Sequence, residues 1–191
     1  MTTSTTDAAT RSVPLSEALA PVKACIPDEA KDLRLNLGSV IERSALSTEE
    51  AVGAALAAAI MTRSVDLVEA FSSVDVLSAE QVAGAKTAAA LMAMNTTWYP
   101  FVELADDLEL ENVPAGLRMQ AFATHGGVGQ ERFELYCLAA AVVGKCHKCI
   151  ASHVAELRKA GKSVEEIASV GRIAATVNGV AAVLDTMAVT A

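Results

Sequence analysis

Five residues near the C-terminal end of the chain have the types and spacing for thiol chemistry. Cys146 and Cys149 stand at C-x-x-C spacing. His147 lies between them, His153 follows the pair by four residues, and Glu134 precedes it by twelve. On a helix starting near Cys146, residues three and four apart share a face, so two thiols and one imidazole form a stripe. The thiolate is the reactive form of cysteine, and an ordinary thiol ionises near about 8.5. A helix N-terminus, a nearby imidazolium and Lys145 or Lys148 would each favour the anion. Glu134, on the preceding helix, would orient His153 and hold its proton, as in any nucleophile–base–orienter set.

Other readings of the pair are weaker. Structural zinc takes four ligands. Here His147 would have to join Cys146, Cys149 and His153, since no second cysteine pair exists. Haem attachment needs a histidine directly after the second cysteine, and Ile150 stands there. Two inert core cysteines would not be flanked by a lysine, two histidines and a glutamate. A dithiol–disulfide redox centre accounts for the most residues. Which sulfur is the more reactive stays open on this basis: the helix start favours Cys146, whereas His153, one turn away, favours Cys149. His125 beside Gly126-Gly127 reads as a loop residue without a role, Cys137 as core, and Cys25 as a bystander.

The elements that must position these residues read as helices. The 191-residue chain suits one domain or two small ones. It is rich in Ala and Leu, with few β-branched clusters or Asn-Gly turns. A formal net charge of −8 repels polyanions, which excludes nucleic acid as a natural partner. No run reaches the roughly 18 consecutive apolar residues of a membrane span. Four cysteines are too few for a disulfide scaffold. The Thr/Ser-rich start lacks a basic segment followed by an apolar one, so it is not a secretory signal. Residues 1–24 are expected to form a flexible extension, with a disordered tail to about Ser12, and the cytoplasm is the expected location.

Pro27-Asp-Glu opens a helix to about Ile41, with Gly38-Ser39 as a possible interruption. Ser47-Thr-Glu-Glu50, Ser78-Ala-Glu-Gln81 and Ser163-Val-Glu-Glu166 are capping boxes that open three more helices. The first runs to about Thr62, and the second to about Met94. Asn95–Ala105, with Trp98, Tyr99, Pro100 and Phe101, reads as a connection and Asp106–Pro114 as a loop. Val65–Ser72, Ala115–Thr124, Gln130–Val143, Cys146–Ala160 and Asn178–Thr186 read as further helices.

Leu56–Ser64 aligns with Leu138–Cys146, and the capping box at Ser78 with that at Ser163. The chain therefore reads as two copies of one helical unit, about 47–105 and 130–191, with chance similarity of Ala-rich helices as the alternative. Ser64, Leu67 and Phe71 occupy in the first copy the places of Cys146, Cys149 and His153.

The pattern Glu134, Cys146, His147, Cys149, His153 on such a chain resembles the alkyl hydroperoxide reductase D family. That family lies within the carboxymuconolactone decarboxylase-like superfamily. Ile26–Leu37, Met94-Asn95, Gly116–Met119 and Phe133–Leu135 contribute to the likeness, which covers about Cys25 to Thr190. It implies an all-α domain over 25–191, a duplicated helical unit, and a homotrimer. It implies a thiol peroxidase and adaptor with no bound cofactor or metal. Electrons would come from dihydrolipoyl groups, carried by a dihydrolipoamide acyltransferase and recharged by dihydrolipoamide dehydrogenase, and would pass to hydroperoxides and a partner peroxiredoxin. Cys149 would become the sulfenic acid. Cys146 would donate a proton and resolve it as the Cys146–Cys149 disulfide. Glu134, His147 and His153 would relay protons. His153, one turn from Cys149 and two from Cys146, decides the assignment. A non-redox decarboxylase-like enzyme of the same superfamily is the alternative.

Overall fold

Two helices that are apolar on every side lie at the centre of the fold. Helix α3 (Thr48–Thr62) buries Ala51 to Ala59 without a break, and α8 (Gln130–Val143) buries Phe133 to Ala141 without a break. A helix with no polar stripe is stable only when it is enclosed. Helices α3 and α8 accordingly pack on each other and are covered by α5 (Ala79–Leu104) and α10 (Val164–Met187). Gly53 lets the two central helices meet closely, because a Cβ there would lie 2.4 Å from the Tyr136 ring. This computed structural model describes residues 12–187, all-α, with no strand among them; an isolated bridge joins Val13 to Val74.

The remaining elements are α1 (Leu15–Cys25), α2 (Lys31–Glu42), α4 (Val65–Ser72), the single turns α6 (Leu108–Glu111) and α7 (Gln120–Ala123), α9 (His147–Lys159), and 3-10 turns at Asp28–Ala30 and His125–Gly127. The three capping boxes start α3, α5 and α10. Ser47 and Ser78 accept the backbone N–H of Glu50 and Gln81, and Ser163 accepts that of Glu166. The side chains of Glu50, Gln81 and Glu166 each accept an N–H in return. The order α3–α4–α5 recurs as α8–α9–α10. Arg63 and Lys145, one residue before α4's and α9's N-caps, both take a left-handed turn, φ 65° and 54°.

Several expectations need correction. Residues 1–11 lie outside the described residues, but the segment from Val13 is not a flexible extension. Val13 donates to Ser73 O and accepts from Asp75 N at 2.9 Å, and α1 buries Ala18, Leu19 and Val22 against the fold. That stripe is hidden in the sequence by surrounding Ser, Thr and Pro. Gly38-Ser39 does not interrupt α2. Helix α5 does not stop near Met94 but continues through Pro100 to Leu104. A proline removes a single donor, and packing of the partly buried Tyr99 on the core holds the helix together. The segment after α5 contains the turn α6, and Ala115–Thr124 is helical only at α7. Finally, Val164–Met187 is one helix rather than two. Gly179 within it leaves room for Leu33 of α2, whose Cδ2 would lie 2.9 Å from an added Cβ. Helix α10 is long and apolar enough to cross a membrane by length and composition. It packs on α2, α3 and α8.

Candidate active site

Cys146 is the N-cap of α9. Its backbone is extended (φ −86°, ψ 104°), and its Sγ accepts the N–H of Cys149 at 3.2 Å. The short linker after α8 creates this geometry: Gly144 follows Val143, Lys145 takes the left-handed turn, and α9 begins. Cys146 and Cys149 are joined as a disulfide. Both are buried, with 0% and 5% of their surface exposed.

The two sulfurs are not equivalent. Cys149 lines a cavity of about 470 Å³ and Cys146 does not. Helix α9 contributes Cys149, Ser152 and His153 to its wall. Helix α5 contributes Met92, Asn95 and Tyr99, which share one face at i, i+3 and i+7. Phe122, of α7, contributes an aromatic side, its ring centroid 6.3 Å from that of His153. Lys148 lies at the mouth with its Nζ 5.1 Å from the Tyr99 ring centroid.

His153 and Glu134 form a buried pair. Glu134 comes from α8, where it interrupts an otherwise apolar run, and is 2% exposed. Its Oε2 lies 2.6 Å from His153 Nδ1. Against a carboxylate, Nδ1 is the donor, which leaves Nε2 as the working nitrogen. Nε2 faces the Met92 thioether at 3.3 Å. A thioether has no proton to donate, so the lone pair of Nε2 stays available for a thiol proton.

The other sequence candidates lie in different surroundings. His147 is on the surface, with 81% of its side chain exposed, and its Nδ1 pairs with Glu103 at 3.0 Å. It is not part of the buried Glu134–His153 pair, because the first turn of α9 directs it outward. Cys137 is core, and burial, then the charge of Glu134, pushes its thiol well above the usual range. Cys25 is exposed. His125 lies against Phe122 and Phe133, ring centroids 6.5 and 5.9 Å away, and does not line the cavity.

Reading the residues for chemistry missed the α5 wall. Asn95 was visible only as part of a family likeness, because ending the helix near Met94 placed it in a connection. The available signal was the spacing of Met92, Asn95 and Tyr99, which continues the helix period past that boundary.

An all-helical chain with a disulfide at a helix start, opening on an apolar cavity beside a buried carboxylate–imidazole pair, is a dithiol–disulfide protein. Residues 109–191 match the Carboxymuconolactone decarboxylase family. The chain is 41% identical over 166 residues to an alkyl hydroperoxide reductase AhpD of Rhodospirillum centenum, covering 86% of this chain and 89% of that protein. It is 42% identical over 163 residues to the AhpD of Coxiella burnetii, covering 83% and 92%. It is 43% identical over 176 residues to that of Streptomyces avermitilis, covering 91% and 99%. The chain belongs to the AhpD family.

Proposed function

We propose that the chain reduces hydroperoxides with electrons from dihydrolipoyl groups, through the Cys146–Cys149 pair, and serves as electron donor to a peroxiredoxin. The observation that carries this reading is the asymmetry of the pair: Cys149 opens on the cavity, and Cys146 is enclosed at the helix N-terminus. The relatives' name, alkyl hydroperoxide reductase, supports the oxidant.

The two half-reactions use that asymmetry. A dihydrolipoyl thiolate attacks the accessible Cys149 sulfur. The S–S bond breaks and Cys146 leaves as a thiolate, stabilised by the Cys149 N–H and the helix start. A good leaving thiolate speeds exchange. The second lipoyl thiol then displaces Cys149, giving the lipoyl disulfide and the reduced protein.

In the oxidative half, His153 takes the Cys149 proton. The thiolate attacks the terminal oxygen of R–O–OH, an S–O bond forms, and the O–O bond breaks. The leaving alkoxide takes the Cys146 proton and departs as ROH, and His153 returns its proton to the hydroxide expelled in the next step. The Cys146 thiolate attacks the resulting sulfenic acid, releases water and restores the disulfide. Two electrons and two protons reduce ROOH to ROH and water. His147, paired with Glu103, is placed to influence the start of α9 from the surface.

A dihydrolipoamide acyltransferase carrying the lipoyl group, dihydrolipoamide dehydrogenase, and a cytoplasmic setting complete the proposal. So does a homotrimer. Phe101 and Leu104 at the end of α5, and Leu108 of α6, are large apolar side chains left exposed, and self-association would cover them.

The test is NADH oxidation in a mixture of the protein, dihydrolipoamide dehydrogenase, lipoamide and an alkyl hydroperoxide, with and without a peroxiredoxin. Turnover should require every component except the peroxiredoxin and should rise when one is added. No turnover above the rate without this protein would contradict the proposal.

A further inference from the structure

We propose that Asn95 is the residue that recognises the hydroperoxide group, holding its O–H so that the terminal oxygen faces Cys149. The inference rests on the peroxidase reading above and adds a residue that reading does not use. Asn95 is 6% exposed and lines the cavity together with Cys149 and His153. Its Oδ1 is buried with no hydrogen-bond partner. Burying a polar atom unpaired is destabilising, and a leucine of similar size would avoid that cost. Helix α5 offers Asn95 no other role, since its neighbours on the same face, Met92 and Tyr99, are also cavity wall. The unpaired group is therefore explained by a ligand that completes it.

The chemistry of the cavity identifies the ligand. Met92, Tyr99, Met119 and Phe122 make the walls largely apolar, which suits an alkyl group. His153 Nε2 is committed to the thiol proton. Lys148 and Ser152 are exposed and Tyr99 is partly so, which leaves the Asn95 carboxamide, with one acceptor and two donors, as the buried polar group on the wall to meet a neutral polar head. A hydroperoxide presents an O–H donor next to an oxygen acceptor. As Cys149 attacks, the S–O bond forms and the O–O electron pair goes to the inner oxygen. The carboxamide keeps the O–H aligned before attack, and its N–H2 group is available to the oxygen that becomes negative. The lipoyl half-reaction, sulfur attacking sulfur, has no comparable group to hold.

The experiment measures the two half-reactions separately on the full chain, in wild type, Asn95→Leu and Asn95→Ala. Pre-reduced protein is mixed with tert-butyl hydroperoxide, and disulfide formation is followed by rapid quenching and thiol alkylation. Oxidised protein is mixed with dihydrolipoamide and read the same way. Thiolate absorbance at 240 nm, compared between wild type and variants, follows the ionisation of the site thiols. The expectation is a loss of about 10- to 100-fold in the peroxide step for both variants. Dihydrolipoamide reduction and the thiolate titration should stay within about threefold. The melting temperature of Asn95→Leu should be equal to or above that of wild type, because the unpaired amide is gone. An unchanged peroxide step in the variants overturns the assignment of Asn95 and leaves the peroxidase reading intact. Equal losses in both half-reactions overturn it as well, since they report damage or donor binding. A wild-type protein that does not react with the hydroperoxide overturns the peroxidase reading and this inference with it.

Discussion

Two regions of the molecule share an order of helices and a residue spacing, and put different side chains into it. In the second half α9 starts at Cys146, with Cys149 and His153 further along one face and Glu134 on the helix before. In the first half α4 starts at Ser64, and Leu67, Phe71 and Val52 hold the corresponding places at the same spacing of 82 residues. Leu67, Phe71 and Val52 are all fully buried. Ser64 is the N-cap of α4 as Cys146 is of α9, but it makes no side-chain capping bond, whereas Cys146 accepts from Cys149. The helix-start geometry therefore does not depend on thiols. The apolar half shows what the site residues replace: a Val and a Phe in the core, exchanged for a Glu–His pair that is costly to bury.

Replacing the pair one residue at a time tests that comparison most severely. His153→Phe installs the first half's residue and removes the base, and activity should fall about 10²- to 10⁴-fold. It also leaves Glu134 buried without its partner, so the single variant should lose about 3 to 5 kcal/mol of stability. Sequence alone suggests normal folding for His153→Phe; the 2.6 Å pair is the reason to expect otherwise. Adding Glu134→Val completes the first half's pattern. The double variant should recover to within about 1 kcal/mol of wild type while staying inactive, because a buried pair that holds a charge is often replaceable by a well-packed apolar pair. Urea unfolding and turnover of the two variants check this. A double variant no more stable than the single one would break the correspondence between the halves.

A smaller effect concerns the polar seam between the halves. Lys162 Nζ reaches Glu50 at 2.8 Å, Glu131 at 2.9 Å and Glu166 at 3.0 Å. The corresponding seam on the other side is Gln81 to Glu49 at 2.8 Å and Arg132 to Glu49 at 3.1 Å. Lys162 is largely buried. Burial works against its charge, but bonds to Glu50, Glu131 and Glu166 hold its pKa above the ordinary lysine value. Glu166 is held down at about 2 by the Ser163 backbone and hydroxyl and by Lys162. Glu50 is also lowered, Lys162 and Ser47 outweighing its burial. A carboxylate depressed in the folded state contributes stability above its usual pKa of 4.5, and that contribution is lost as pH falls towards about 2. Lys162→Met should cost about 2 to 4 kcal/mol at neutral pH, towards the lower end for buried pairs because Glu131 is half exposed. The gap between variant and wild type should narrow from pH 4.5 to 2. A gap that does not change with pH would mean that the ammonium does not set these carboxylates.

Much of the fold was legible because local signals were strong. The capping boxes at Ser47, Ser78 and Ser163 mark helix starts by a bonding pattern that needs no tertiary help, and the structure has all three. The ends of helices were harder. Pro100 looks like a break, but Tyr99 packing keeps α5 continuous, which is a tertiary fact. Helix α1 was obscured by its polar neighbours. In the site, the sequence brings Cys146, Cys149 and His153 together because they lie on one helix. The contact from Glu134 needs the α8–α9 packing angle. The outward direction of His147 follows from its place on the opposite side of α9. The cavity, and with it Asn95, requires α5 to pass beside α9, which no local pattern specifies.

The central claim is that Cys149 meets the peroxide and Cys146 resolves it. The most direct measurement treats reduced Cys146→Ser and Cys149→Ser proteins with one equivalent of tert-butyl hydroperoxide in the presence of dimedone and maps the adduct by peptide mass spectrometry. The account predicts an adduct on Cys149 in Cys146→Ser and little or none on Cys146 in Cys149→Ser. An adduct on Cys146 in Cys149→Ser, with Cys149 unmodified in the reciprocal protein, would contradict it.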